Sequence, residues 1–141
     1  FTSSEAKKQE ALELGAHKTL DSRDKAEIKS AYRSFDFIIS TVNVKLNWNT
    51  YIHTLKAKGR LHFVGATLEP LDLAVFPLIG GQRSISGSPV GSPATIESML
   101  EYAKQHDIKP QVESYPMEKI NEALDHLKSG KARYRVVLSN V

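Results

Sequence analysis

Residues 35–42 read FDFIISTV, a nearly continuous run of apolar side chains. A strand that is covered on both faces of a parallel sheet has this pattern, whereas a strand with one wet face alternates apolar and polar residues. A second run of the same kind, RLHFVG at residues 60–65, follows after one helical segment. Two buried strands separated by a helix predict a βαβ unit with a parallel sheet.

The remainder of the chain continues this alternation of helices and strands. Helices are predicted at residues 5–16, 22–34, 48–58, from 93 onward and at 117–130, and strands at 17–20, 84–87, 111–115 and 133–139. Thr2 and Glu5 have the spacing of a capping box, and Gly15 supplies a helix stop. Residues 66–81 contain Pro70, Pro77 and two adjacent glycines, which predict a long loop with room for one short helical turn.

Two of these helices carry apolar residues at helical spacing, which predicts one buried face on each. The residues are Ile96, Met99, Leu100 and Ala103 in the first, and Ile120, Ala123, Leu124 and Leu127 in the second.

Length and composition indicate an ordinary globular protein. The 141 residues are 40% hydrophobic and 25% charged, and we expect them to form one domain over residues 1–141. No apolar run is long enough to cross a membrane, so we expect no membrane partner. The net charge of +3 is spread along the chain, and we expect no nucleic-acid partner. The chain has no cysteine, which excludes disulfides and thiolate metal sites and fits a cytoplasmic protein.

The opening stretch, TSSEAKK at residues 2–8, suits an anionic ligand. In a doubly wound fold the second strand ends beside the adenosine ribose of a dinucleotide. Enzymes that use NAD place an acid there, whereas the 2′-phosphate of NADP requires hydroxyls, backbone N–H groups and a cation. Thr2, Ser3 and Ser4 offer the hydroxyls and Lys7 the cation. An ordinary capped helix with solvated lysines is the other interpretation of these residues.

The order of several segments resembles the cofactor domain of zinc-dependent, medium-chain alcohol dehydrogenases, in particular the cinnamyl alcohol dehydrogenase-like branch. The segments that carry this resemblance are TSSEAKK, LKAKGRLHFVGA, ISGSPVGS and ARYRVV. It implies an α/β fold with a Rossmann-like, doubly wound parallel sheet. The chain contains no G-x-G-x-x-G, so we expect an incomplete sheet whose first strand, glycine-rich turn and first helix lie outside these residues, together with the zinc-carrying catalytic domain.

The resemblance also implies which residues line the cofactor. Thr2, Ser3, Ser4 and Lys7 match the segment that holds the 2′-phosphate. The positions that match the nicotinamide side of the cleft are Thr41, Val42, Val64, Gly65, Ala66, Gly87, Ser88 and Pro89. At the position that matches Pro89, members of the family often have a bulkier residue. Gly65 and Gly87 have a plainer interpretation as turn glycines.

We assign no catalytic residue and no metal ligand to this chain. The five histidines, His17, His53, His62, His106 and His126, are scattered, and none forms an i, i+4 pair. His62, in the middle of a predicted strand, is the hardest to assign to a plain structural role.

The resemblance implies that the parent enzyme transfers hydride between NADP(H) and an aldehyde or primary alcohol, using zinc from the other domain as a Lewis acid. It also implies a homodimer that pairs edge strands at residues 84–88. We expect little or no turnover from the isolated chain. Two alternatives to this function stay open. The parent protein could be a zinc-free quinone or enone reductase of the same superfamily, or a non-catalytic interaction module.

Overall fold

The computed structural model describes residues 1–140, which divide into two compact units, Phe1–Val90 and a second that begins at Gly91. The elements of the first unit, in chain order, are α1 (Glu5–Glu13), α2 (Lys25–Ser30), β1 (Phe35–Ser40), α3 (Trp48–Thr54), β2 (Leu55–Phe63), α4 (Phe76–Gly81) and β3 (Ser84–Gly87). The short helix α4 occupies the end of the predicted loop. The single domain over residues 1–141 stays a prediction.

The three strands of the first unit form one parallel sheet in the order β1-β2-β3. Ile38 lies opposite Leu61, and Leu61 lies opposite Ile85, so one apolar row crosses the sheet. α3 packs on this face and forms the core with it. The buried core residues are Trp48, Tyr51, Ile52, Leu55 and Leu61. The predicted α/β fold with parallel strands is confirmed.

β1 departs from the predicted burial on both faces. Phe37 is 48% exposed and Ile39 is 58% exposed. Both point away from the α3 face, and among the described residues β1 pairs with β2 alone. The predicted burial is therefore wrong for the outer face of β1, because no element of the first unit covers that face.

Three local predictions at helix and strand ends were also wrong. α3 ends at Thr54 instead of before Gly59, because β2 already begins at Leu55. The Thr2–Glu5 capping box does not form, since Ser4 is the N-cap of α1 and its side chain caps no N–H group. Residues 17–20 form no strand, although an isolated parallel bridge joins Thr2 to Asp21. The helix stop at Gly15 is confirmed by its φ of +99°.

The second unit contains two helices and a two-stranded parallel sheet. Its elements are α5 (Pro93–Gln105), β4 (Val112–Pro116), a 3-10 turn at Met117–Lys119, α6 (Ile120–Lys128) and β5 (Arg135–Ser139). Ser92 caps α5 as predicted, accepting a hydrogen bond from the Thr95 N–H.

The predicted buried faces of α5 and α6 are mostly open. Ala123 is buried, where α6 packs on its sheet, but Met99 and Leu127 are each about half exposed. The predicted faces were therefore wrong for every residue except Ala123 and the partly buried Ala103. Helical spacing identifies the apolar side of a helix, whereas burial requires an element packed against it. No helix among the described residues combines the length and apolarity needed to cross a membrane.

Candidate functional site

The carboxyl ends of β1, β2 and β3 lie at one edge of the parallel sheet. β1 ends at Ser40, β2 at Phe63 and β3 at Gly87. The predicted nicotinamide-side residues lie at these three ends: residues 41–42 and 64–66 follow β1 and β2 directly, and residues 87–89 begin with the last residue of β3. Ligands in open α/β sheets bind outside this edge, so the topology brings the three predicted segments to the place where a cofactor would lie.

Backbone hydrogen bonds hold the first two segments together. The N–H groups of Val64 and Gly65 both donate to the Ser40 carbonyl oxygen, at 3.0 Å each. A Cβ on Gly65 would lie within 2.6 Å of the carbonyl groups of Thr41 and Val42. The chain can therefore pass this close to residues 41–42 only with glycine at this position.

The third segment is attached to β2 in a similar way. The Ser88 N–H donates to the Phe63 carbonyl oxygen at 3.2 Å. Its hydroxyl lies 3.0 Å from His62 Nε2, while His62 Nδ1 lies 2.8 Å from the Ser86 hydroxyl. The Phe37 ring stacks on the imidazole, with 5.8 Å between centroids. His62 thus bridges two serines of the β3 segment, which gives this mid-strand histidine a structural role.

A cavity of 390 Å³ connects the start of α1 with the end of β1. It brings together Thr2, Ser3 and Lys7 from the predicted phosphate segment with Thr41 and Val42 from the predicted nicotinamide side. Its other lining residues are Phe1, Ser22, Ile38, Ile39, Ser40, Val44, Leu46, Trp48 and Tyr51. Among the described residues no carboxylate lines it. We call this space the α1–β1 cavity.

Charge pairing around α1 leaves Lys7 as the cation of the α1–β1 cavity. Lys8 Nζ lies 3.0 Å from a Glu5 carboxylate oxygen and 3.5 Å from one of Asp21. The hydrogen bond to Glu5 raises the pKa of Lys8, and the Arg23 N–H lowers the pKa of Asp21. Lys7, by contrast, has no ion pair in the part of the chain that the structure describes. Glu5, a possible objection to an anion site, is therefore compensated by Lys8.

Sequence reasoning missed several polar or aromatic residues of the cavity, notably Ser22, Ser40, Trp48 and Tyr51. Ser40 is 6% exposed, and its hydroxyl has no hydrogen-bond partner among the described residues. Burial raises the pKa of the Tyr51 hydroxyl. The sequence does mark Ser40, because it is the first polar residue after the apolar run FII at residues 37–39. Ser22 is beside Thr2 because its N–H donates to the Thr2 carbonyl oxygen at 2.9 Å, which no local pattern indicates.

Seven predicted residues do not line the α1–β1 cavity. They are Ser4, Val64, Gly65, Ala66, Gly87, Ser88 and Pro89. Ser4 donates its N–H to the Thr2 hydroxyl at 3.4 Å, and Val64 and Pro89 are exposed. Gly65 packs against the backbone of residues 41–42, and the Ser88 hydroxyl lies within hydrogen-bond distance of His62. Their roles at the cofactor stay predictions.

The described residues offer no place for zinc. No group of three or more His, Cys, Asp or Glu side chains within residues 1–140 is arranged to hold a metal ion. The donor set that zinc requires is therefore missing among these residues.

The chain matches a known protein family and several known proteins. Residues 1–105 match the family model described as zinc-binding dehydrogenase. The chain belongs to the zinc-binding dehydrogenase family. The chain is 63% identical to aldehyde reductase AdhA of Synechocystis, over 99% of the chain and 42% of that protein. The resemblance indicated by the sequence motifs is thereby confirmed.

Solved structures extend the likeness to the fold. Cinnamyl alcohol dehydrogenase SbCAD4 of Sorghum bicolor superposes with a TM-score of 0.89 at 36% identity, over 96% of the chain and 39% of that structure. The Helicobacter pylori cinnamyl alcohol dehydrogenase complexed with NADP(H) has a TM-score of 0.77 at 30% identity, over 98% of the chain and 39% of that structure. The chain thus spans about two fifths of the length of these relatives, and its parallel sheet is an incomplete Rossmann-like sheet.

Proposed function

We propose that this chain supplies much of the NADP-binding cleft of an enzyme that transfers hydride between NADP(H) and an aldehyde or primary alcohol. The observation that carries the proposal is the α1–β1 cavity, which joins Ser3 and Lys7 to Thr41 without a lining carboxylate among the described residues. The names of the relatives, an aldehyde reductase and a cinnamyl alcohol dehydrogenase complexed with NADP(H), support the same substrate and cofactor classes.

The 2′-phosphate of NADP would lie at the start of α1. It carries close to two negative charges and needs donors that a bare ribose hydroxyl does not. Ser3 and Lys7 are exposed toward the cavity, and the Ser4 side chain leaves the first N–H groups of α1 uncapped. These N–H groups, the helix dipole and the Lys7 ammonium group all favour an anion at this position.

The unpartnered Ser40 hydroxyl at the cavity wall and the aromatic side chains of Trp48 and Tyr51 suit the less charged part of a dinucleotide. Bound NADPH supplies the hydride. In this proposal residues 41–42, 64–66 and 87–89 shape the wall on the nicotinamide side, because they follow the carboxyl ends of the three strands. Their close backbone contacts fix the position of this wall before the cofactor binds.

The proposal extends to the whole protein. Zinc would be held outside these residues, because the described residues contain no cluster of three or more candidate ligands, and we expect the isolated chain to turn over little or no substrate. β3, at the edge of its sheet, is the strand that we propose to pair in a homodimer. A cytoplasmic location is part of the same proposal, since the chain lacks cysteine.

Cofactor preference tests the assignment of the phosphate site. In the full-length protein, Ser3→Asp combined with Lys7→Ala should weaken NADPH binding by at least about tenfold more than NADH binding, since a charge-assisted hydrogen bond contributes about 1.5–3 kcal/mol. Dissociation constants are measured by fluorescence titration, and aldehyde reduction is followed with each nucleotide.

Lys25→Ala is the matched control, because this exposed lysine on α2 lies outside the α1–β1 cavity. It should leave the NADPH-to-NADH ratio unchanged. An equal loss for both nucleotides in the double variant, or a wild-type protein that reduces no aldehyde with either one, would count against the proposed function.

A further inference from the structure

A second cavity lies at the opposite edge of the same sheet. It has a volume of 510 Å³ and is lined by residues that precede the strands or lie at their amino ends. Tyr32 and Arg33 come just before β1, His53 and Ala57 flank the start of β2, and Arg83 comes just before β3. The remaining lining residues come from α4. Because the proposed cofactor residues follow the carboxyl ends of the strands, this amino-edge cavity is separate from the cofactor cleft.

The amino-edge cavity has cationic walls. Arg33 and Arg83 both line it, and no Asp or Glu is among its described lining residues. Arg83 Nε donates to the Leu55 carbonyl oxygen at 3.0 Å, and its Nη1 donates to that of Pro77 at 2.9 Å. Carbonyl oxygens fix a guanidinium group but do not neutralise its charge. The side chain of Arg33 has no ion pair among the described residues, so both positive charges remain available to an anion.

Close packing holds the Arg83 guanidinium in place. A Cβ on Gly81 would lie 2.8 Å from Arg83 Cζ, so the guanidinium rests directly against the Gly81 backbone. With Nε and Nη1 engaged by carbonyl oxygens, Nη2 makes no hydrogen bond within the described chain. A donor that is immobilised in this way loses little side-chain entropy when it binds an anion.

An aromatic surface adjoins these cations. The Tyr32 ring stacks on the His53 imidazole, with 5.5 Å between centroids and 25° between ring planes. Tyr32 is 43% exposed, and Phe76, also in the lining, is 81% exposed. Planar rings favour stacking on such aromatic side chains and on guanidinium groups.

Unusual backbone conformations cluster around the same cavity. Four described non-glycine residues have positive φ, and three of them are here. Arg33 (φ 56°) lines the cavity, Lys58 (φ 63°) follows Ala57, and Gln82 (φ 50°) lies between Gly81 and Arg83. Side chains larger than glycine rarely adopt this conformation, and such positions concentrate at functional sites.

We propose that the amino-edge cavity binds an organic anion that carries a planar ring, with the oxyanion on Arg33 and Arg83 and the ring on Tyr32 and His53. A phosphate or a carboxylate can supply the oxyanion, and both share this recognition. The proposal does not depend on NADP binding, because the two cavities share no residue.

Calorimetric titration of the full-length protein with phenyl phosphate, benzoate, inorganic phosphate and phenol tests the proposal. Phenyl phosphate or benzoate should bind at least about tenfold more tightly than inorganic phosphate or phenol, since only the first two combine ring and charge. The tighter of the two identifies the oxyanion. Arg33→Gln should raise the dissociation constant of that probe by about tenfold or more. Tyr32→Leu should weaken the ring-bearing probe severalfold and leave inorganic phosphate unchanged.

Two variants act as controls. Arg60→Gln removes a guanidinium group from the same sheet at a residue that does not line the cavity, so it should leave the dissociation constant of the probe unchanged. Lys7→Ala alters only the α1–β1 cavity and should leave the probe's affinity unchanged, whatever it does to NADPH. Equal binding of phenyl phosphate, benzoate and inorganic phosphate, an unaffected Arg33→Gln variant with a native circular dichroism spectrum, or loss of probe binding in Lys7→Ala would each overturn the proposal.

Discussion

A Cβ placed on Gly65 would lie 2.5 Å from the carbonyl carbon of Thr41. Real Cβ atoms do not approach backbone so closely, so glycine is required here by space. The Gly65 N–H meanwhile donates to the Ser40 carbonyl oxygen at 3.0 Å. The loop after β2 is thereby pressed against the loop after β1, and the proposed cofactor wall is one packed surface.

Gly65→Ala should separate these two loops. We expect it to lower the free energy of unfolding by about 1–3 kcal/mol, the usual cost of overpacking, and to weaken NADPH binding in the full-length protein. Urea unfolding and nucleotide titration measure the two effects. Gly80→Ala is the control, because a Cβ there meets nothing within 4 Å in α4. A Gly65→Ala variant as stable as Gly80→Ala would contradict the close packing.

Ser40→Ala should stabilise the protein in the absence of nucleotide. The Ser40 hydroxyl is buried without a partner, and an unsatisfied buried polar group costs about 1–3 kcal/mol. Its removal should therefore raise the free energy of unfolding by about 1 kcal/mol, measured by urea denaturation. Thr54→Val is the contrast, since the Thr54 hydroxyl donates to the Tyr51 carbonyl oxygen at 2.7 Å. Thr54→Val should lower the free energy of unfolding. If Ser40→Ala lowers it as well, the Ser40 hydroxyl has a hydrogen-bond partner and the prediction is wrong.

His62→Leu should loosen the segment after β3. The imidazole bridges Ser86 and Ser88, so its loss frees the Ser88 hydroxyl. A double-mutant cycle with Ser88→Ala should give a coupling of about 0.5–1.5 kcal/mol in stability, the contribution of one hydrogen bond. His17→Leu, at an exposed histidine outside this network, should show no coupling to Ser88. Additive effects of His62→Leu and Ser88→Ala would indicate that the bridge contributes nothing.

Stability should fall in acid partly through Asp21. The Arg23 N–H and the nearby Arg23 and Lys8 charges lower the pKa of Asp21 in the folded protein. Its stabilisation is therefore present above the unfolded pKa of about 3.9 and is lost as pH falls through the lower folded pKa. Urea midpoints measured from pH 6 to pH 3 should decline less steeply for Asp21→Asn than for wild type. An Asp21→Asn variant that keeps the wild-type slope would contradict this role of Asp21.

The sequence predicted the elements whose signals are local. The apolar runs at residues 35–42 and 60–65 predicted two parallel strands, and Gly15 and Ser92 predicted a helix end and a helix start. Those features depend on backbone preference and on short-range hydrogen bonds, which neighbouring residues determine. The α3–β2 boundary was wrong because Leu55 continues the apolar stripe of the helix while its backbone already pairs with Phe35.

Burial and site composition were harder to predict. Phe37, Ile39 and Met99 have the periodicity of core residues yet are half exposed, because periodicity does not encode what packs against a face. Ser3, Lys7 and Thr41, which the family motifs assign to the cofactor, line the α1–β1 cavity, but their roles at the cofactor stay predictions. Ser22 and Tyr51 reach it through long-range packing. The amino-edge cavity joins three strand beginnings, which are far apart in sequence.

A crystal structure of the full-length protein with bound NADP⁺ would show directly whether the start of α1 binds the 2′-phosphate. We expect the 2′-phosphate to lie within hydrogen-bonding distance, about 2.7–3.2 Å, of the Ser3 hydroxyl and the Lys7 ammonium group. A 2′-phosphate that points away from the start of α1, touching neither side chain, would contradict it.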